Sequence, residues 1–253
     1  MGDGKRSGLW RVLDAAAALV ATVTLAVTFV AAGFAVCAGL PQTTEALASA
    51  FSGQDNPGTP FSHDDLVCAA VVTRDYTVGS NDREAVFAML HDINANAGTR
   101  FADATDEELA AAPDAYTLTG DALSHLDDVF RVVVAARLAL IVIAVLAVAA
   151  AAHVGIRVGR RALSSVLLAA GAAVLVVFAL LAAWVVIDFN GFFAAFHSLF
   201  FADGTWTFSW ESLLITMYPP AFWMGMGAVW LATTALLSAL AIAIGARLRR
   251  RAA

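Results

Sequence analysis

The five histidines are the side chains of this sequence best suited to chemistry near neutral pH, and no covalent nucleophile competes with them. There is no GxSxG and no SxxK, neither Cys37 nor Cys68 adjoins a histidine, and two cysteines make neither a CxxC nor a disulfide framework. Such an inventory suits proton transfer on a substrate that brings its own nucleophile. His125 lies in Leu118-Thr-Gly-Asp-Ala-Leu-Ser-His125-Leu-Asp-Asp128-Val129, where helical spacing puts Asp121 one turn before it and Asp128 one turn after. A carboxylate there would fix the imidazole tautomer and raise its basicity, whereas the plain alternative is a histidine that only caps a span. His197 lies in Phe192-Phe-Ala-Ala-Phe196-His197-Ser-Leu-Phe200-Phe201, with Phe193, Phe200 and Phe201 at i−4, i+3 and i+4. Trp206, Trp210 and Trp223 continue the aromatic run. An interfacial belt explains the rings but not an imidazole buried among them.

The remaining histidines have plainer readings. His153 suits the negative end of a helix dipole. His63 and His91 each precede an aspartate, and His63, Asp64, Asp65, His91 and Asp92 have metal-ligating chemistry. Without tight ligand spacing such as HExxH they read as a solvated face, so no metal is expected. No phosphate-binding glycine loop or cofactor box occurs, so no cofactor is expected either.

What must position His125 and His197 is a membrane protein. At 60% hydrophobic and 14% charged residues, the 253-residue chain is excluded from the soluble class. A formal charge of -6 excludes a basic nucleic-acid binder. Four runs are long and apolar enough to cross a bilayer: Ala15 to Leu40, Val132 to Ile156, Ala162 to Ile187, and Ser212 to Ala246. The first is longer than a signal-peptide core and reads as a retained helix, although Phe34-Ala-Val-Cys37 faintly resembles a lipoprotein cleavage box. Lys5, Arg6 and Arg11, then Arg157, Arg160 and Arg161, then Arg247, Arg249, Arg250 and Arg251 all fall on one side, which should be cytoplasmic.

The expected layout is an all-α membrane protein of four transmembrane helices with a mostly helical extracytoplasmic cap between the first two. Its segments are a cytoplasmic tail at 1–11, spans at 12–40, 131–156, 162–187 and 212–246, the cap at 41–130, a cytoplasmic loop at 157–161, an outer aromatic segment at 188–211, and a cytoplasmic tail at 247–253. Residues 41–130 hold 16 acids against three arginines, and the shorter outer segment holds three acids and no Lys or Arg, so the outer face is acidic. Three cap helices should open at Ser62-His-Asp-Asp65, Asn81-Asp-Arg-Glu84 and Thr105-Asp-Glu-Glu108, the last stopped by Pro113. Ser52 to Pro60 reads as a surface loop.

Two segments resemble motifs of a bacterial four-helix membrane family. Thr119 to Val129 is similar to an S/T-x5-H-h-x-D-V segment leading into the second span. Phe196-His-Ser-Leu-Phe-Phe201, with Trp206 and Met217-Tyr-Pro219, is similar to an FHxxFF…W…P segment before the fourth. The family is that of the lipoprotein intramolecular transacylases. The resemblance implies an enzyme that moves the sn-2 acyl chain of a diacylglyceryl lipoprotein onto the α-amine of its N-terminal cysteine, giving an N-acyl lyso-form. It implies diacylglyceryl-modified lipoproteins as substrates in the bacterial cell membrane, surrounding membrane lipid, and no nucleic acid.

The resemblance maps the catalytic histidines onto His125 and His197. His125 is expected as base because Asp121 and Asp128 flank it, with His197 as stabiliser or acid. Phe193, Phe196, Phe200, Phe201, Trp206 and Tyr218 would bind substrate and exclude water. The sequence departs from the pattern where Phe130 follows Asp128-Val129, so Arg131 comes one place late, and where Tyr218 replaces an expected Phe. Two rival readings differ in what they require. A histidine-dependent acyltransferase or hydrolase on another lipid needs the same pair but no cysteine N-terminus. A non-enzymatic module whose acidic cap binds an extracytoplasmic partner needs neither histidine.

Overall fold

The structure, a computed structural model, describes residues 8–252. Lys5 and Arg6, which contribute to the expected orientation, lie outside the described residues. Among the described residues four helices have span length and composition: α1 (Gly8–Gly39), α6 (Gly120–His153, prolonged by a π turn at Val154–Val158), α7 (Arg160–Ile187) and α10 (Pro220–Arg251). The cap carries α2 (Pro41–Phe51), α3 (His63–Val78), α4 (Arg83–Asn96) and α5 (Asp106–Ala110). Two short helices, α8 (Phe189–Ser198) and α9 (Leu213–Met217), lie between α7 and α10. No strand occurs among the described residues.

The chain forms two compact units. The first holds residues up to Phe34, Arg137–Ile187 and Trp230 onward. Small residues let its helices approach: a Cβ on Gly33 would lie 2.0 Å from Thr234 Oγ1, and one on Gly171 would lie 2.7 Å from the Ser238 carbonyl. Two bonds cross between helices, while Thr234 Oγ1 and Ser238 Oγ are buried without a partner. The Trp230 indole donates to the Val30 carbonyl at 2.9 Å, and Ser164 Oγ donates to the Gly245 carbonyl at 2.8 Å. Ile141, Val145, Val148 and Val186 remain exposed, as lipid-facing side chains should. The turn from α6 to α7 passes through Gly159 at φ 114°, a conformation that strains any side chain.

The second unit holds Ala35–Ala136 and Asp188–Val229, and therefore both candidate histidines. Its core joins Leu66, Val86, Leu90 and Ile93 of the cap helices to Leu118, Leu126, Leu213, Met217 and Phe222. Ser62 and Asp65 form a capping box on α3, Asp82 caps α4, and Thr105 with Glu108 caps α5. The first and third are the starts the sequence signals, whereas α4 opens one residue later than expected, on Asp82 rather than Asn81, which sits at φ 55°. Helix α2 carries no such side-chain cap and begins on Pro41, which supplies a preset φ in place of a bonded N–H.

The apolar run 212–246 is not one helix. Pro219 disfavours helical backbone at Tyr218, which sits at φ -123° and ψ 63°, so α9 ends there and α10 restarts on Pro220. Backbone bonds then tie the pieces that matter for function. Leu213 N–H donates to the Asp114 carbonyl at 2.8 Å, Gly53 N–H to Thr216 at 2.9 Å, and Ser52 Oγ to Met217 at 2.7 Å. The chain before α6 is thereby latched to α9.

Candidate active site

Helix α6 runs unbroken from Gly120, so His125 stands on its second turn, with Leu123 and Leu126 buried in the cap core beside it. His197 stands near the end of α8, whose start is fixed by Asp188 accepting from Gly191 N–H at 2.8 Å. Two histidines 72 positions apart in sequence come together, with ring centroids 6.1 Å apart and planes inclined by 31°.

Aromatic rings enclose the pair. Phe193 stacks on His197 at 4.0 Å and Trp206 lies on it at 4.9 Å. Phe201 meets the edge of His125 at 4.8 Å and lies 5.8 Å from His197. Phe196 is 5.7 Å from His197, and Phe200 extends the wall from Phe196 at 5.4 Å. Phe196 and Phe200 are exposed on their outer sides, as is Leu199, which gives the wall an apolar outer surface.

Hydrogen bonding sets the two imidazoles apart. His197 Nδ1 is 2.8 Å from the Phe193 carbonyl, four residues back along α8. A carbonyl only accepts, so Nδ1 carries the proton and Nε2 presents a lone pair. Burial among the rings pulls the His197 pKa below its usual value, and the carbonyl bond offsets part of that. His197 is therefore neutral at pH 7, with Nε2 free to accept. His125 is only 8% exposed, and its Nδ1 is buried without a partner. The Trp206 indole nitrogen is also buried and unpartnered. An unmade bond of this kind costs about 1–3 kcal/mol, which makes both atoms candidates to meet a substrate group.

A family model for the lipoprotein intramolecular transacylase Lit matches residues 84–223, more than half of the chain and the whole of this histidine cage. The chain belongs to that family. Among solved structures it is similar to the membrane-integral lipoprotein intramolecular transacylase Lit from Bacillus cereus, determined in meso, with a TM-score of 0.67 at 18% identity over 94% of this chain and 97% of that one. A variant of the same Bacillus cereus protein, with one histidine replaced by arginine, gives a TM-score of 0.66 at 17% identity over 98% of each chain. At such identities the likeness shows a shared fold. No curated protein matches the sequence.

Within this family member, the expected site residues sort into three groups. His125, His197, Phe193, Phe196, Phe200, Phe201 and Trp206 form one aromatic cluster. Asp121 and Asp128 share a cavity wall with His125, but no hydrogen bond joins either carboxylate to the imidazole. Asp128 instead accepts from Arg131 at 2.5 Å, one turn on, so the late arginine pairs with the acid of its own motif. Tyr218 stands apart from the histidine rings. Its hydroxyl donates to the Ala70 carbonyl within the cap core, and full burial pushes its pKa up. It braces the cap.

Sequence reasoning misses three residues. Phe208 packs 5.7 Å from the His125 ring, while Asp114 and the buried, unpartnered Thr117 line the cavity beside it. Phe208 carries the only signal, as the next aromatic after Trp206. The other two matter because of where the chain folds back, which no local pattern encodes. The metal reading of the cap meets a different arrangement, with His91 Nε2 2.6 Å from Asp106.

Proposed function

We propose that this chain transfers the sn-2 acyl group of a diacylglyceryl lipoprotein to the α-amine of the lipoprotein's N-terminal cysteine. The products are an N-acyl group and a free glyceryl hydroxyl. The observation that carries the reading is the His125–His197 pair, 6.1 Å apart inside aromatic walls, with one tautomer fixed by a backbone carbonyl. An α-amine has a pKa near 8 and must shed its extra proton to solvent before it can attack. The neutral nitrogen then attacks the ester carbonyl carbon. Its second proton passes to His197 Nε2 as the C–N bond forms, and from there to the sn-2 oxygen as the C–O bond breaks. No acyl-enzyme is needed, because substrate supplies both nucleophile and leaving group.

The fixed tautomer favours His197 as base, exchanging the roles expected from the flanking aspartates. His125 Nδ1 and the Trp206 indole N–H, both lacking protein partners, are the groups to bind the carbonyl oxygen as it gains charge. The aromatic wall excludes water, whose attack would release the acyl chain as fatty acid. Holding amine and ester of one molecule together supplies effective concentration. The arginine distribution supports both termini in the cytoplasm, with the acidic cap and the histidine pair outside, where lipoproteins carry their lipid.

Mass spectrometry of a reporter lipoprotein from cells expressing the wild type, His125→Ala or His197→Ala tests the reading. The expected result is an acyl shift from glyceryl ester to N-acyl with the wild type, lost with either substitution. No shift from a well-expressed wild type overturns it.

A further inference from the structure

Beside His125 a cavity of about 520 Å³ opens between the chain leading into α6 and the segment before α9. Its volume is that of a small-molecule site. Its lining is polar where the wall is apolar. Asp114, Asp121 and Asp128 contribute three carboxylates, hydroxyls come from both segments, and no Lys or Arg lines it. Arg131 offsets Asp128, leaving the carboxylates of Asp114 and Asp121 without a basic partner in the lining.

The acids alone would be a solvated face. One further atom indicates a ligand: Thr117 Oγ1, in a residue of this lining only 1% exposed, is buried without a protein partner. A threonine hydroxyl can donate and accept, which is what one peptide unit requires. His125 thus touches both the aromatic wall and a cavity lined by three carboxylates and several hydroxyls.

We propose that this cavity receives the peptide that follows the lipidated cysteine, and selects for positive charge in its first residues. The inference rests on the transacylase reading, since only a substrate with acyl chains and polypeptide joined at one cysteine needs both sides. The acyl chains lie along the aromatic wall and the peptide leaves through the acidic cavity. Thr117 Oγ1 bonds a main-chain group, and the unpaired carboxylates attract a lysine or arginine beyond it.

The test uses the purified full-length protein in proteoliposomes with synthetic diacylglyceryl-cysteine peptides carrying two lysines, two serines or two glutamates after the cysteine. The expected kcat/KM favours lysine over glutamate by about tenfold at low salt, with serine between, and the ratio shrinks once the screening length falls to about 8 Å. Asp114→Asn combined with Asp121→Asn should bring the ratio to about two or less. A wild-type ratio already within about twofold overturns the inference whatever the variant does, and so does a ratio that survives the double substitution. A wild type that transacylates every peptide alike thus refutes the cavity assignment alone. One that transacylates none removes the transacylase reading and this inference with it.

Discussion

Replacing Trp206 by phenylalanine separates a catalytic donor from a packing residue. The indole lies 4.9 Å from His197 and 6.4 Å from Phe193, and its nitrogen is buried without a partner. In the resting protein that unmade bond costs about 1–3 kcal/mol, so a phenyl ring relieves it. The smaller ring also loses contact area, a penalty of about the same size for a large-to-small change in a packed site. The two effects oppose each other, and stability should shift by no more than about 1 kcal/mol. Turnover behaves differently. If the indole N–H meets the carbonyl oxygen only as it becomes an oxyanion, its loss costs about 2.7–4 kcal/mol of transition-state stabilisation, or roughly 10²–10³ in kcat, with KM little changed. The assay is steady-state conversion of a diacylglyceryl-cysteine peptide to its N-acyl product, read by mass spectrometry, beside a thermal melt of the same preparation. A fall in kcat below about tenfold, or a loss of activity that simply tracks a lowered melting temperature, refutes the donor role.

Other expected outcomes follow from the same contacts. Because burial lowers the His197 pKa, its neutral form persists below the ordinary imidazole value of about 6.5, so the acid limb of kcat should fall below that pH; Phe193→Ala, which keeps the carbonyl but uncovers the ring, should move the limb upward. Gly191→Ala puts a Cβ 1.9 Å from Asp188 Oδ2 and should unseat the α8 cap, costing about 1 kcal/mol in thermal stability, with Asp188→Ala costing a similar amount and the double variant little more. Tyr218→Phe removes the hydroxyl bond to Ala70 and should lower stability by about 1 kcal/mol in a melt, while leaving the pH of the acid limb unmoved because the ring touches neither histidine.

The spans and the cap starts were legible because each is written in adjacent residues. Apolar runs of span length mark the long helices, and Ser62 with Asp65 or Thr105 with Glu108 announces a helix within four positions. Each histidine was legible from its place at a span's head or among aromatics, but that the two meet was legible only through the resemblance, since nothing local to His125 indicates a partner 72 positions on. The aspartates illustrate the opposite limit. Helical spacing allows Asp128 to reach either His125 or Arg131, both three residues away, and it meets the arginine, whose permanent charge and long chain make the stronger bond. Tyr218 was hidden for a related reason. Its place before the proline suits a substrate contact as well as a brace, and only the distant Ala70 carbonyl decides between them.

The aspartate's choice of partner bears on the chemistry. A histidine hydrogen-bonded to a buried carboxylate becomes more basic and tends to hold a proton, which suits a hydrolase that must strip one from water or serine. Here the substrate amine is already a good nucleophile once neutral, so a strongly basic imidazole is unnecessary. In the proposed mechanism, a weak base whose tautomer is fixed by a carbonyl accepts the proton as the C–N bond forms and releases it readily to the departing glyceryl oxygen. Keeping formal charge off the imidazoles also keeps the cage apolar, which favours acyl chains over water and aminolysis over hydrolysis. It follows that introducing a carboxylate beside His197, for instance Phe193→Asp, should do more than slow the transfer. By drawing water and holding a protonated imidazole, it should raise the share of released fatty acid relative to N-acyl product. An unchanged product ratio with that variant would mean that something other than dryness and neutrality protects the ester.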